Sequence, residues 1–142
     1  MGSVYIVGAG GIGCAVGYAL LAGGIGGSIT NPVNLASAEA WDPAAAKFTS
    51  VGSMSVARSG MSVVKMPVTD KILVAGGATG TSVTSPLPTD LAELFDPTGN
   101  AFAVVAPIPE PRAGAPAILL PTNHACLFGG VGVPTAPAIY RD

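Results

Sequence analysis

The chain has 142 residues, 49% of them hydrophobic and only 10% charged, with a formal net charge of -2, 20 glycines and 13 prolines. That length suits one domain with a real core, and its Val, Ile, Leu and Ala content excludes disorder while its Gly and Pro content excludes long helices, so short strands and tight turns are expected. The cations Lys47, Arg58, Lys65, Lys71, Arg112 and Arg141 are scattered, which excludes a basic nucleic-acid-binding patch.

The first predicted element lies in residues 4–24, "VYIVGAGGIGCAVGYALLAGG". Its glycines resemble the dinucleotide-binding fingerprint of flavin and nicotinamide enzymes. On that alternative reading Gly8, Gly10 and Gly13 would bring bare backbone to a pyrophosphate at a helix N-terminus, as in an FAD- or NAD-binding oxidoreductase. The confirming half is missing. "SITNPVN" (28–34) holds no acid for a ribose, and the first charged residue is Glu39. A membrane span is disfavoured by the glycine interruptions and by the lack of flanking Lys or Arg, although residues 1–38 carry no charge. No early positive charge marks a signal peptide.

The next segments repeat one another. Glu39, Trp41, Asp42, Pro43, Phe48 and Arg58 recur 54 positions later as Glu93, Phe95, Asp96, Pro97, Phe102 and Arg112. Apolar stretches ending in the glycine pairs Gly23–Gly24, Gly76–Gly77 and Gly129–Gly130 recur at a step of 53. A period near 50 is too short for a domain and fits one sheet stacked on similar neighbours. Strands are expected over residues 59–66 and 70–77, joined by "PVT". Another covers 91–97, ends in a turn at 96–100, and is followed by an outer strand over 101–108.

An apolar strand closing on a glycine pair, two aromatics seven residues apart and then an arginine resemble the kelch repeat, especially its bacterial form with "EAWDP"-like turns. The resemblance covers residues 20–142. It implies an all-β fold of four-stranded antiparallel propeller blades, with units at about 23–75 and 76–128 and partial units at 1–22 and 129–142. The glycine pairs would permit close backbone packing, Trp41, Phe48, Phe95 and Phe102 would pack between blades, and Arg58 and Arg112 would hydrogen-bond structurally. The chain departs from the pattern in carrying Phe95 and Tyr140 where Trp41 stands, and "PAIYRD" breaks off the third unit.

About 2 to 3 units fit in 142 residues, whereas closed propellers have roughly four to eight blades. The expectation is a propeller fragment, a piece that self-associates to complete a ring, or an open stack. The expected function is a non-catalytic scaffold that binds a protein or glycan through blade loops such as residues 78–90. No cofactor and no metal is expected. His124 has no ligand-spaced neighbours, Cys14 and Cys126 belong to no C-x-x-C pair, and no copper-oxidase or Ser-His-Asp set can be assembled.

Overall fold

In the computed structural model, residues 11–15, 18–28, 30–42, 44–80, 86–132 and 136–141 are described, with side chains from Leu20 onward. These residues are all-β, with no helix among them, and form several small antiparallel sheets, none of which closes. No helix of the described residues is long and apolar enough to cross a membrane.

The first sheet is a meander of β1 (Gly11–Ala15), β2 (Tyr18–Ser28), β3 (Asn31–Asp42) and β4 (Lys47–Val51). Gly8 and Gly10 lie outside the described residues. Gly13 lies in β1 opposite Leu20 of β2, in an antiparallel ladder. Where a dinucleotide loop would start a helix, the chain is strand.

The second sheet is another meander, of β5 (Ser62–Lys65), β6 (Ile72–Ala75), β9 (Ala92–Asp96) and β10 (Ala101–Val105). A short pair, β7 (Ala78–Thr79) and β8 (Leu87–Pro88), prolongs its central hairpin. The third sheet has β12 (Ala117–Leu119), β13 (Ala125–Leu127) and β15 (Ala138–Tyr140), flanked by the pair β11 (Arg112–Ala113) and β14 (Val131–Gly132).

The three sheets share one register. Leu21 faces Glu39, Val74 faces Glu93 and Leu127 faces Ala138. The turns repeat as well. Asp42 Oδ1 accepts from the Ala44 and Ala45 amides at 2.9 and 3.1 Å, and Asp96 Oδ1 accepts from Thr98 and Gly99 at 2.8 and 3.3 Å. Both turns close on a left-handed residue, Ala46 at φ 51° and Asn100 at φ 51°. Asparagine tolerates that conformation through its short polar side chain, whereas alanine bears the steric cost.

The core consists of two layers between successive sheets. Leu20, Ala22 and Ala38 of the first sheet join Met54, Met61, Ile72, Val74 and Phe95 in one cluster. Leu73, Ala75 and Ala92 of the second sheet join Ile108, Ala125, Leu127 and Ala138 in the other. Neighbouring residues of β6 therefore serve opposite layers, as strand alternation requires. All four residues of β6 are buried because both faces of the middle sheet are covered.

Candidate functional site

The segments that lead from one sheet to the next, residues 52–61 and 106–115, lock the layers together. Each has an amide near its start that donates back to the preceding unit: Met54 N–H to the Ala36 carbonyl at 2.9 Å and Ile108 N–H to that of Asp90, also at 2.9 Å. Each arginine amide does likewise, Arg58 to the Leu35 carbonyl at 3.0 Å and Arg112 to that of Thr89 at 3.2 Å. The arginine carbonyls in turn accept from the second glycine of the preceding pair, Gly24 N–H at 3.0 Å and Gly77 N–H at 2.8 Å.

This contact explains the glycine pairs. Gly23 and Gly76 hold φ of +61° and +66°, and a Cβ built on them would lie 2.5 Å from the Arg58 carbonyl oxygen and 2.4 Å from that of Arg112. Only a residue without a side chain tolerates both the left-handed backbone and that approach. Gly129 keeps the same conformation, φ +56°, yet a Cβ there would have nothing within 4 Å.

The arginine side chains then reach forward to the next glycine pair. Arg58 Nη1 donates to the Gly76 carbonyl at 2.8 Å and to that of Leu91 at 3.0 Å, while Nη2 is paired with the Glu93 carboxylate. Glu93 Oε1 also accepts the Ser55 amide at 2.8 Å. Both members of the ion pair are almost wholly buried. Burial lowers the Arg58 pKa, and the charge and hydrogen bond of Glu93 oppose that shift. A buried charge is tolerated only when it is paired and hydrogen-bonded in this way.

Arg112 solves the same problem with other residues. Its Nη1 reaches the Gly129 carbonyl at 3.4 Å and its Nη2 that of Ala136 at 2.8 Å, matching the two carbonyls held by Arg58. The Glu93 position is occupied by Ala138 and the Ser55 position by Pro109, which has no amide proton to donate. The carboxylate is supplied from the linking segment instead, by Glu110 at 3.2 Å, and that group is partly exposed. The sequence shows Glu93 as the repeat of Glu39, but the change to Ala138 in the third unit and that from Ser55 to Pro109 carry no signal until the arginines are in place.

The predicted aromatic positions divide. Phe95 is fully buried in the layer between the first two sheets, and Phe102 packs against that layer at a ring distance of 4.9 Å from Phe95. Trp41 and Phe48 form the same cross-strand pair, at 5.3 Å. They are half-buried on the outward face of the first sheet and belong to neither core cluster of the described residues, which differs from the expected packing between sheets.

The longest predicted loop, residues 78–90, is described except for 81–85. Its start is tied to the β2–β3 hairpin by Asn34 Nδ2, which donates to the Gly80 carbonyl at 3.1 Å. Among the described residues no three His, Cys, Asp or Glu side chains gather as a metal site would require. His124 is hydrogen-bonded to Thr122 at 2.9 Å, and Cys126 is a buried free thiol. The arrangement built by Arg58 and Arg112 is suited to holding backbone segments in place, since the Nη groups of both arginines are directed at carbonyls and a carboxylate of the chain itself, while Arg58 Nε is buried without a partner. No family model and no curated protein matches the sequence.

Proposed function

We propose that the chain forms four-stranded blades of an incomplete kelch-type β-propeller and serves as a non-catalytic scaffold, with units at about 23–75 and 76–128 and partial units at 1–22 and 129–142. The carrying observation is the recurrence, 54 positions apart, of the arginine lock between sheets: Arg58 spans the Gly23 and Gly76 pairs as Arg112 spans those of Gly76 and Gly129. Stacked sheets in which each repeat contacts only its neighbours also account for the two separate core layers.

On this reading the polar groups at the locks are consumed in holding the blades, and recognition belongs to the loops that follow each glycine pair. Residues 78–90 form the longest of these, and a protein or glycan is the partner class that such turn-rich loops, here with Asp90 as the one charged residue, suit. The test is binding to an array of immobilised oligosaccharides and a panel of purified proteins, repeated with residues 78–90 replaced by the shorter 131–135 sequence. Loop-dependent binding with unchanged circular dichroism is expected. Binding that is indifferent to the loop, or flavin absorbance in the purified protein, would overturn the reading.

A further inference from the structure

Both core layers join two unlike sheet faces. One face carries Leu20, Ala22 and Ala38 in the first sheet and Leu73, Ala75 and Ala92 in the second; the other carries Ile72, Val74 and Phe95 in the second and Ala125, Leu127 and Ala138 in the third. Among the described residues, one face of each kind is left over. The third sheet shows Ile118 and Ile139 at 48% and 50% exposure, at positions where the second sheet buries Val64 and half-buries Leu94 against its neighbour. The first sheet shows Leu21, Trp41 and Phe48, all half-buried, where the second sheet packs Val74, Phe95 and Phe102.

We propose that a second copy of the chain docks the Trp41 face of its first sheet onto the Ile139 face of the third sheet, head to tail. The proposal rests on the blade reading above and names one partner for it. The contact continues an interface that the chain already makes twice, and the register of the third sheet matches that of the second position by position. The open space at Gly129 marks the same place. Its backbone is already bent as at Gly23 and Gly76, where the linking segment of the next sheet brings a carbonyl against it. Because the joined faces differ, the association is heterologous and extends to a ring or a filament.

One group opposes the contact. Glu39 is exposed, while its counterpart Glu93 is buried on Arg58; the residue 54 positions before Arg58 is Val4, so the docking copy supplies no guanidinium there. The third sheet shows the alternative, Ala138 at that position. Glu39→Ala is therefore expected to tighten association at least about tenfold, because an unpaired carboxylate no longer has to be desolvated.

Sedimentation velocity at micromolar concentrations provides the test, with β-type circular dichroism verified for every variant. The wild type is expected to be concentration-dependent, and Ile118→Lys/Ile139→Lys and Leu21→Lys each monomeric. Mixing the two variants should give a 1:1 dimer, since each retains one competent face. Phe48→Lys replaces Leu21→Lys should the latter lose its β signal. A monomeric wild type, single-face variants that still self-associate, or a mixture that stays monomeric would each overturn the proposal. Oligosaccharide or protein binding through residues 78–90 does not depend on these faces, so failure of the assembly and failure of the scaffold reading are told apart.

Discussion

Arg58→Met tests the lock most severely. It removes donors to the Gly76 and Leu91 carbonyls and leaves Glu93, which is 1% exposed, with the Ser55 amide as its remaining hydrogen-bond donor. Removing one partner of a buried pair costs about 3–5 kcal/mol, chiefly through the stranded charge. Arg112→Met makes the comparison. Its carboxylate partner Glu110 is 28% exposed and stays hydrated, so the loss is mainly that of the hydrogen bonds to Gly129 and Ala136, about 1–2 kcal/mol. Adding Glu93→Ala to Arg58→Met copies the arrangement at Ala138 and should recover about 1–3 kcal/mol of coupling. Urea unfolding at neutral pH, followed by circular dichroism, measures all four proteins, and Glu93→Gln provides a milder variant should Arg58→Met not fold. Arg58→Met costing less than about 1 kcal/mol, or no more than Arg112→Met, would refute the reasoning.

Three further outcomes are expected. Gly76→Ala should destabilise more than Gly129→Ala by at least about 2 kcal/mol in thermal or urea unfolding, because both bear the left-handed penalty but only the first meets a backbone oxygen, at 2.4 Å. Ala46→Gly should stabilise by about 1 kcal/mol, since it relieves a φ of 51° at the position that Asn100 fills in the next turn. The third concerns pH. The Thr98 and Gly99 amides, and to a smaller degree Lys71, hold the Asp96 carboxyl below its ordinary pKa. A depressed folded pKa contributes stability above the unfolded value of about 3.9 and loses it as pH falls through the folded one. The stability gap between wild type and Asp96→Ala should therefore be full at pH 6 and shrink below about pH 4 in acid titrations followed by circular dichroism.

The all-β class was legible because short apolar runs alternate with Gly, Pro and Asp-Pro turns. The strands expected over 59–66, 70–77 and 91–97 contain β5, β6 and β9. The glycine pairs were legible as a period, though the reason for the first two, an arginine carbonyl pressed against Gly23 and Gly76, needed the neighbouring unit in place. What the period could not reveal is where repetition stops being equivalent. Glu39 and Glu93 look alike in the repeat, yet one is exposed and the other buried on Arg58, because burial depends on what packs against each sheet rather than on local sequence. The same difference separates Trp41 and Phe48 from Phe95 and Phe102. Glu110 was hidden for another reason: its pairing with Arg112 compensates for Ala138, a residue 28 positions away that carries no chemistry of its own.

The central claim is that the middle sheet is shared between two layers, with neighbouring residues of β6 serving opposite ones. Side-chain NOE spectroscopy on a methyl-labelled sample tests it directly. Ile72 and Val74 should show cross-peaks to the group containing Leu20, Met54 and Met61 and none to Leu127, and Leu73 and Ala75 should show the reverse. Cross-peaks from Ile72 to Leu127, or from Leu73 to Leu20, would contradict the account.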